Sequence, residues 1–185
     1  LFVMPIEEFG GVNHILLSSV DETLIQHEKE FNLGIRSYGK IYEPRGHKYI
    51  VDFQFDKECT IEYRVGGMIF RKSMIFVKGK EQLLIKYTLL QAHSKTSLRL
   101  KPFMAFREVH TLTQQNPQAD TNYGIVDNGC SYKMYEGFPT LYLQLSKDNE
   151  YFHNPDWYKD VVYSDEQRRG FEYKEDLLVP GVFEM

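Results

Sequence analysis

Lys48-Tyr49-Ile50-Val51-Asp52-Phe53-Gln54-Phe55 and, a few residues on, Ile61-Glu62-Tyr63-Arg64-Val65-Gly66-Gly67-Met68 decide the fold class. Side chains of an extended chain point alternately to its two faces, so Tyr49, Val51, Phe53 and Phe55 share one side and predict a half-buried strand. In the second stretch Ile61, Tyr63 and Val65 oppose Glu62 and Arg64. Gly66-Gly67 then supplies the two positive-φ positions of a tight hairpin, which predicts an antiparallel return over residues 68–77.

The same alternation extends outward to residues 82–91, 97–107 and 140–146, separated by polar connections such as Lys78-Gly79-Lys80 and His93-Ser94-Lys95. Asp127-Asn128-Gly129 is a second hairpin signal. Toward the start, Phe9 to Asn13 reads as a turn, and residues 14–19 and 23–27 read as strands joined by Val20-Asp21-Glu22. The one predicted helix is a turn or two over residues 164–169, with Ser164 as its cap and Gly170 as its end. From Asn154 onward aromatic and charged residues crowd together without alternation, which predicts a long ordered surface segment. Many short strands with one-sided apolar faces imply an all-β fold, a large antiparallel β-sandwich of two packed sheets, formed by residues 1–185 as one domain.

Composition narrows the function. The chain has 185 residues, 42% of them hydrophobic, enough to bury one real core. A net charge of −4 with scattered basic residues offers nothing to nucleic acid or an anionic membrane. No apolar run approaches the roughly 20 residues that span a bilayer, and the first residues lack the order of a secretion signal, so a cytoplasmic protein is expected. The two cysteines, Cys59 and Cys130, have no second Cys or His at ligand spacing, and the six histidines are equally scattered, so neither a disulfide framework nor a metal is expected. Neither a glycine-rich phosphate loop nor a serine nucleophile elbow occurs, and no cofactor is expected.

Five residues are candidates for contact with sugar. Asp156, Trp157 and Tyr158 would join aromatic ring faces for the C–H side of a pyranose to a carboxylate that accepts from hydroxyls. Arg107 and His110, at the mouth of a strand, could donate to sugar hydroxyls, or Arg107 could instead close a strand-end ion pair. Glu175 and Asp176 look like an acid and base, but neighbours on one chain rarely face a single bond across the roughly 5 to 9.5 Å that glycoside hydrolysis needs.

A series of phrases in order carries a family likeness: Leu16-Leu17-Ser18-Ser19-Val20-Asp21-Glu22-Thr23, Tyr63-Arg64-Val65-Gly66-Gly67, Arg99-Leu100-Lys101-Pro102-Phe103-Met104-Ala105-Phe106-Arg107 and Asn154-Pro155-Asp156-Trp157-Tyr158. Glu166-Gln167-Arg168-Arg169-Gly170, Tyr173-Lys174-Glu175-Asp176-Leu177 and Pro180-Gly181-Val182-Phe183 continue it almost to the last residue. Together they resemble the N-terminal domain of bacterial and archaeal glycogen debranching enzymes. The resemblance implies a β-sandwich that precedes an (α/α)6 toroid, where the carboxylates that hydrolyse the α-1,6 branch linkage reside, and leaves transferase activity of the parent enzyme open. A short phrase that usually precedes Leu1 is missing, and Met185 falls where the linker to the toroid should begin, so a piece of a longer enzyme is expected.

The expected role is therefore that of an accessory domain that packs on its C-terminal catalytic domain and supports α-glucan binding. Unpaired backbone and apolar surface left by the missing parts predict self-association. Two other classes stay in view. A free-standing carbohydrate-binding module would display Trp157 with Tyr158, Tyr135 or Phe138 as a stacking platform. A small β-sandwich epimerase would bring His110 and Glu108 together in a concave sheet.

Overall fold

The alternating runs fold as fifteen strands, most of them joined by short connections, in a computed structural model that describes residues 1–185. In chain order the strands are β1 (Phe2–Ile6), β2 (Val12–Gln26), β3 (Lys29–Asn32), β4 (Ile35–Ser37), β5 (Tyr42–Arg45), β6 (Ile50–Phe55), β7 (Cys59–Val65) and β8 (Met68–Phe76). There follow β9 (Leu83–Gln91), β10 (Ser97–Glu108), β11 (Gly124–Val126), β12 (Gly129–Tyr132), β13 (Leu141–Gln144), β14 (Glu150–Val162) and β15 (Lys174–Glu184). One short helix, α1 (Ser164–Arg169), stands between the last two, and no helix is long and apolar enough to cross a membrane. The all-β class expected from the alternation is the class observed, with the strands distributed over four sheets.

Contacts divide the chain into two compact units, residues 1–21, 36–43 and 99–185 in one and residues 22–35 and 44–98 in the other. In the first unit β1, the start of β2, β10, β15 and β14 lie side by side in that order, and β11, β12 and β13 form a three-stranded sheet. In the second unit β6, β7, β8 and β9 form an antiparallel meander, and β3 pairs with residues 23–26 of β2. The Gly66-Gly67 hairpin forms as read, with φ of +56° and +79° and Val65 opposite Met68. Asn128, at φ +54°, closes the other one between Val126 and Gly129.

The core of the first unit gathers Ile15, Phe103, Ala105, Val161, Leu177 and Val179 on one sheet face, with Val3, Tyr38, Val109 and Tyr158 packed around it. Each large apolar side chain removed from water here contributes about 1.5–3 kcal/mol. Residues 102–107 and 175–181 are buried without a break, because β10 and β15 lie in the middle of the sheet with both faces covered.

Four expectations are corrected. Val20-Asp21-Glu22 is not a turn, since β2 runs straight through it. Its carboxylates are buried against cations: Asp21 on Arg36, which also donates to Ser19 Oγ at 2.8 Å, and Glu22 on Lys72 Nζ at 2.6 Å, with Tyr87 Oη donating at 2.7 Å. The reversal comes later, at His27 and Glu28, with φ of +51° and +62°. Second, residues 46–49 form a 3-10 turn, and β6 is an exposed edge strand rather than a half-buried one. A bulge leaves Val51 unpaired between Ile50 and Asp52, so Tyr49 and Val51 fall out of the alternation that Phe53 and Phe55 keep.

Third, the stretch from Asn154 onward is strand rather than an irregular segment, on the surface through most of residues 154–174 and buried from residue 175 to 181. It supplies edge strand β14 and central strand β15, and what looked like a loop composition is bulges on the edge and charged residues that are paired inside. Fourth, Ser164 is the first helical residue and caps nothing, because Tyr163 holds the cap position without a side-chain bond. Gly170, in left-handed conformation at φ +79°, ends α1 as expected.

Candidate functional site

The candidate residues 156–158 lie on β14, whose outer side has no partner strand. Pro155 removes one backbone donor there, and bulges between His153 and Asp156 and between Tyr158 and Val161 twist the edge, the second one around Asp160 at φ +55°. Between the bulges the register is regular. Asp156 pairs with Val179 and Tyr158 with Leu177, whereas Trp157 pairs with Leu178, so Trp157 points to the opposite face from its two neighbours. The three residues therefore do not converge on one sugar.

Tyr158 turns toward the core. Its ring meets the Phe103 ring edge-on at 4.9 Å between centroids, and its hydroxyl accepts from Lys101 Nζ at 2.7 Å. Trp157 is half-buried and Asp156 exposed, with Asp156 Oδ1 accepting the Trp157 backbone N–H at 2.9 Å. Of the five candidates, Asp156 and His110 are exposed, Trp157 and Tyr158 are half-buried, and Arg107 alone is buried.

Arg107 is spent inside. Its guanidinium pairs with Glu175 through two nitrogens, Nη2 to Oε2 at 3.0 Å among them, and Nη1 donates to the Glu108 and Val109 carbonyls at 3.1 and 3.2 Å. Glu175 is fully buried and also accepts from Tyr163 Oη at 2.5 Å and the Thr113 backbone N–H at 3.3 Å. The strand-end ion pair is thus the reading that describes Arg107, whose buried guanidinium has four of its five N–H donors taken within the fold. Phe106, just before it, adopts φ +47°, a strained value for an aromatic residue, which lets β10 turn Arg107 toward Glu175.

The carboxylate of Asp176 has a separate task. Its two oxygens accept the Gln115 and Asp160 backbone N–H groups, each at 2.9 Å, while its own N–H donates to the Thr113 carbonyl at 2.8 Å. Glu175 and Asp176 thus fasten the loop after β10 and the bulge of β14 to β15. Alternation alone signals that they face opposite sides, but only their position in the sheet reveals that both are buried.

His110 lies exposed in the turn after β10, where the Thr111 N–H donates to the Glu108 carbonyl at 3.2 Å. Glu108 and His110 therefore sit in a reverse turn, not in a concave sheet, which removes the geometry an epimerase would use. Tyr135 and Phe138, offered for a stacking platform, are half-buried. Phe138 packs on Phe9, His14, Phe106 and Tyr135 with centroids 4.9 to 6.1 Å away. An open groove of about 440 Å³ is lined by Gln54, Asp56, Lys57, Glu58, Thr60 and Ile75, all in the second unit and none of them a candidate.

Burial also perturbs groups the sequence did not single out: it raises Tyr38, Tyr132 and Tyr151, and most usefully for a test Cys130 and Tyr163. It pushes the Cys130 thiol up to about 12. Tyr163 is likewise raised to about 12, first by burial and then by the negative charge of Glu175 beside it. Both are native in their protonated forms, whereas the unfolded chain releases these protons near 9.0 and 10.0. The stability they contribute is therefore complete below pH 9 and is lost as pH rises from 9 to about 12, by on the order of several kcal/mol in total. Urea unfolding across that range is expected to show a steadily falling midpoint, and Cys130→Ala is expected to move its onset up by about one pH unit. A midpoint that stays level to pH 11 would contradict this account.

The family described as "Glycogen debranching enzyme N terminal" matches residues 1–185, the whole chain. No curated protein and no solved structure matches it significantly.

Proposed function

Because the chain belongs to the family of glycogen debranching enzyme N-terminal domains, we propose that it is the non-catalytic part of an amylo-α-1,6-glucosidase. In this reading it packs on a catalytic domain C-terminal to it, supports that domain's hold on α-glucan, and works in the cytoplasm in glycogen breakdown. The observation that carries the reading is the use made of the buried charges. Arg107 and Glu175 pair with each other, Glu175 also accepts from Tyr163, and Asp176 accepts from two backbone N–H groups, so that these charges hold strands and loops together. Such groups serve a scaffold. Proton transfer to a glycosidic oxygen would need a carboxyl group within reach of substrate.

Trp157, on the open edge of β14, is the residue we assign to glucan, with the surface of β14 against the catalytic domain. In the full-length enzyme Trp157→Ala is expected to raise KM for branched glucan roughly threefold to tenfold, the worth of one aromatic contact, with kcat within twofold. Amide exchange along β14 is expected to be slower in the full-length enzyme than in this chain. Equal exchange rates would sink the docking role, and an unchanged KM the glucan role.

The alternative of a free-standing carbohydrate-binding module retains one specific support, the partial exposure of Trp157. Saturable heat on titrating this chain with maltoheptaose, abolished by Trp157→Ala, would put that reading first.

A further inference from the structure

Apart from the four-residue strand β3, which branches from the end of β2, the two larger sheets present four edges, and three of them carry devices that discourage pairing. Strand β1 has Pro5 and a bulge between Phe2 and Val3. Strand β14 has Pro155, Lys159 and two bulges. Strand β9 has Lys86 at its middle and a bulge that leaves Leu90 unpaired.

Strand β6 is different. Along Ile50-Val51-Asp52-Phe53-Gln54-Phe55 there is no proline and no lysine, the single bulge sits near its start, and Asp52 to Phe55 pairs regularly with Glu62 to Cys59. Every residue is exposed, Phe53 by 60% and Phe55 by 77%, and no strand lies on the outer side. The composition, β-branched and aromatic with one charge, is that of a segment that adds readily to another strand.

We infer that β6 is a self-recognition edge, pairing antiparallel with β6 of a second copy of this chain across a two-fold axis at Phe53. The sequence of β6 fits its own reverse in that register. Directly opposed residues share a face in an antiparallel pair, so only registers that match like parity are allowed. With Phe53 opposite itself, Asp52 comes opposite Gln54, and the bulge at Val51 ends the regular pairing beyond that point. Two Phe53 rings meet at the axis, and on the other face each Gln54 amide donates to the opposing Asp52 carboxylate. Within one chain Gln54 Nε2 already donates to Asp52 Oδ2 at 2.9 Å, so the two side chains need only exchange partners. The contact is a small one, which sets the expected dissociation constant on the order of 10 µM.

Dimerisation through β6 needs neither glucan nor a catalytic domain, so its outcome is independent of the reading above. Sedimentation of this chain across 1 to 200 µM is expected to show a monomer and dimer in equilibrium. Phe53→Lys, which sets two ammonium groups opposite one another at an exposed position, is expected to leave only monomer. In a Cys59→Ser background, Phe53→Cys is expected to give a disulfide-linked dimer under oxidised glutathione. Gln54→Cys is expected to give none, since its two copies stand beyond the roughly 7 Å Cα separation that a disulfide tolerates. A monomer at 200 µM overturns the proposal. So does a dimer that persists in Phe53→Lys, or one that cross-links as well through residue 54 as through residue 53.

Discussion

Glu175→Ala is expected to lower the stability of the fold by about 3–5 kcal/mol, the cost of removing one partner of a buried ion pair. Three groups lose their acceptor at once: the Arg107 guanidinium, the Tyr163 hydroxyl and the Thr113 backbone N–H. Arg107 is the costly one, because an uncompensated cation remains where water does not reach, with only the Glu108 and Val109 carbonyls to oppose it. Replacing the pair together, as Arg107→Met with Glu175→Leu, should recover much of the loss, since apolar side chains of similar size tolerate the site. Recovery stays incomplete because Tyr163 and Thr113 still lack a partner, at about 1–3 kcal/mol for each unsatisfied group. Denaturant midpoints at constant m-value measure all three variants. A loss below about 1 kcal/mol for Glu175→Ala would mean that the pair is held by the sheet rather than holding it.

The same carboxylate shows why sequence reading stops where it does. Alternation and turn chemistry are local, and they located the hairpins at Gly66-Gly67 and at Asn128, the runs that became β7 to β10, and the end of α1 at Gly170. Burial of a charge is not local. Two adjacent acidic residues, Asp21 and Glu22, interrupt the apolar run and so read as a connection. They are strand residues because Arg36 and Lys72, 15 and 50 positions further on, come to meet them. The same holds for the buried part of the charge-rich end, residues 175–181, since nothing beside Glu175 or Asp176 announces Arg107 or the Gln115 N–H. Of the proposed sugar contacts, Asp156 and Trp157 keep accessible surface while Arg107 and Tyr158 are drawn inward, each by a partner distant in sequence: Glu175 for Arg107, Lys101 and Phe103 for Tyr158.

Phe103→Ala is expected to cost about 3–5 kcal/mol, at the level of the Glu175 variant but by another mechanism. Phe103 has no exposed surface and sits in the middle of β10 within the cluster formed with Ile15, Leu177 and Val179. Removing the ring opens a cavity that two central strands cannot close by collapsing. It also strips Arg36 of the aromatic face that lies 3.3 Å from its guanidinium carbon, a contact worth up to about 2 kcal/mol when desolvated. The two contributions separate with Phe103→Leu, which keeps most of the volume and loses the π face. If the ring face matters, Phe103→Leu should cost more than the roughly 1.5 kcal/mol that a volume-conserving core exchange allows. A double-mutant cycle with Arg36→Met in an Asp21→Leu background, which removes the competing ion pair, should then return a coupling of about 1–2 kcal/mol. A coupling near zero would leave cavity formation as the whole effect and make Arg36 a partner of Asp21 alone.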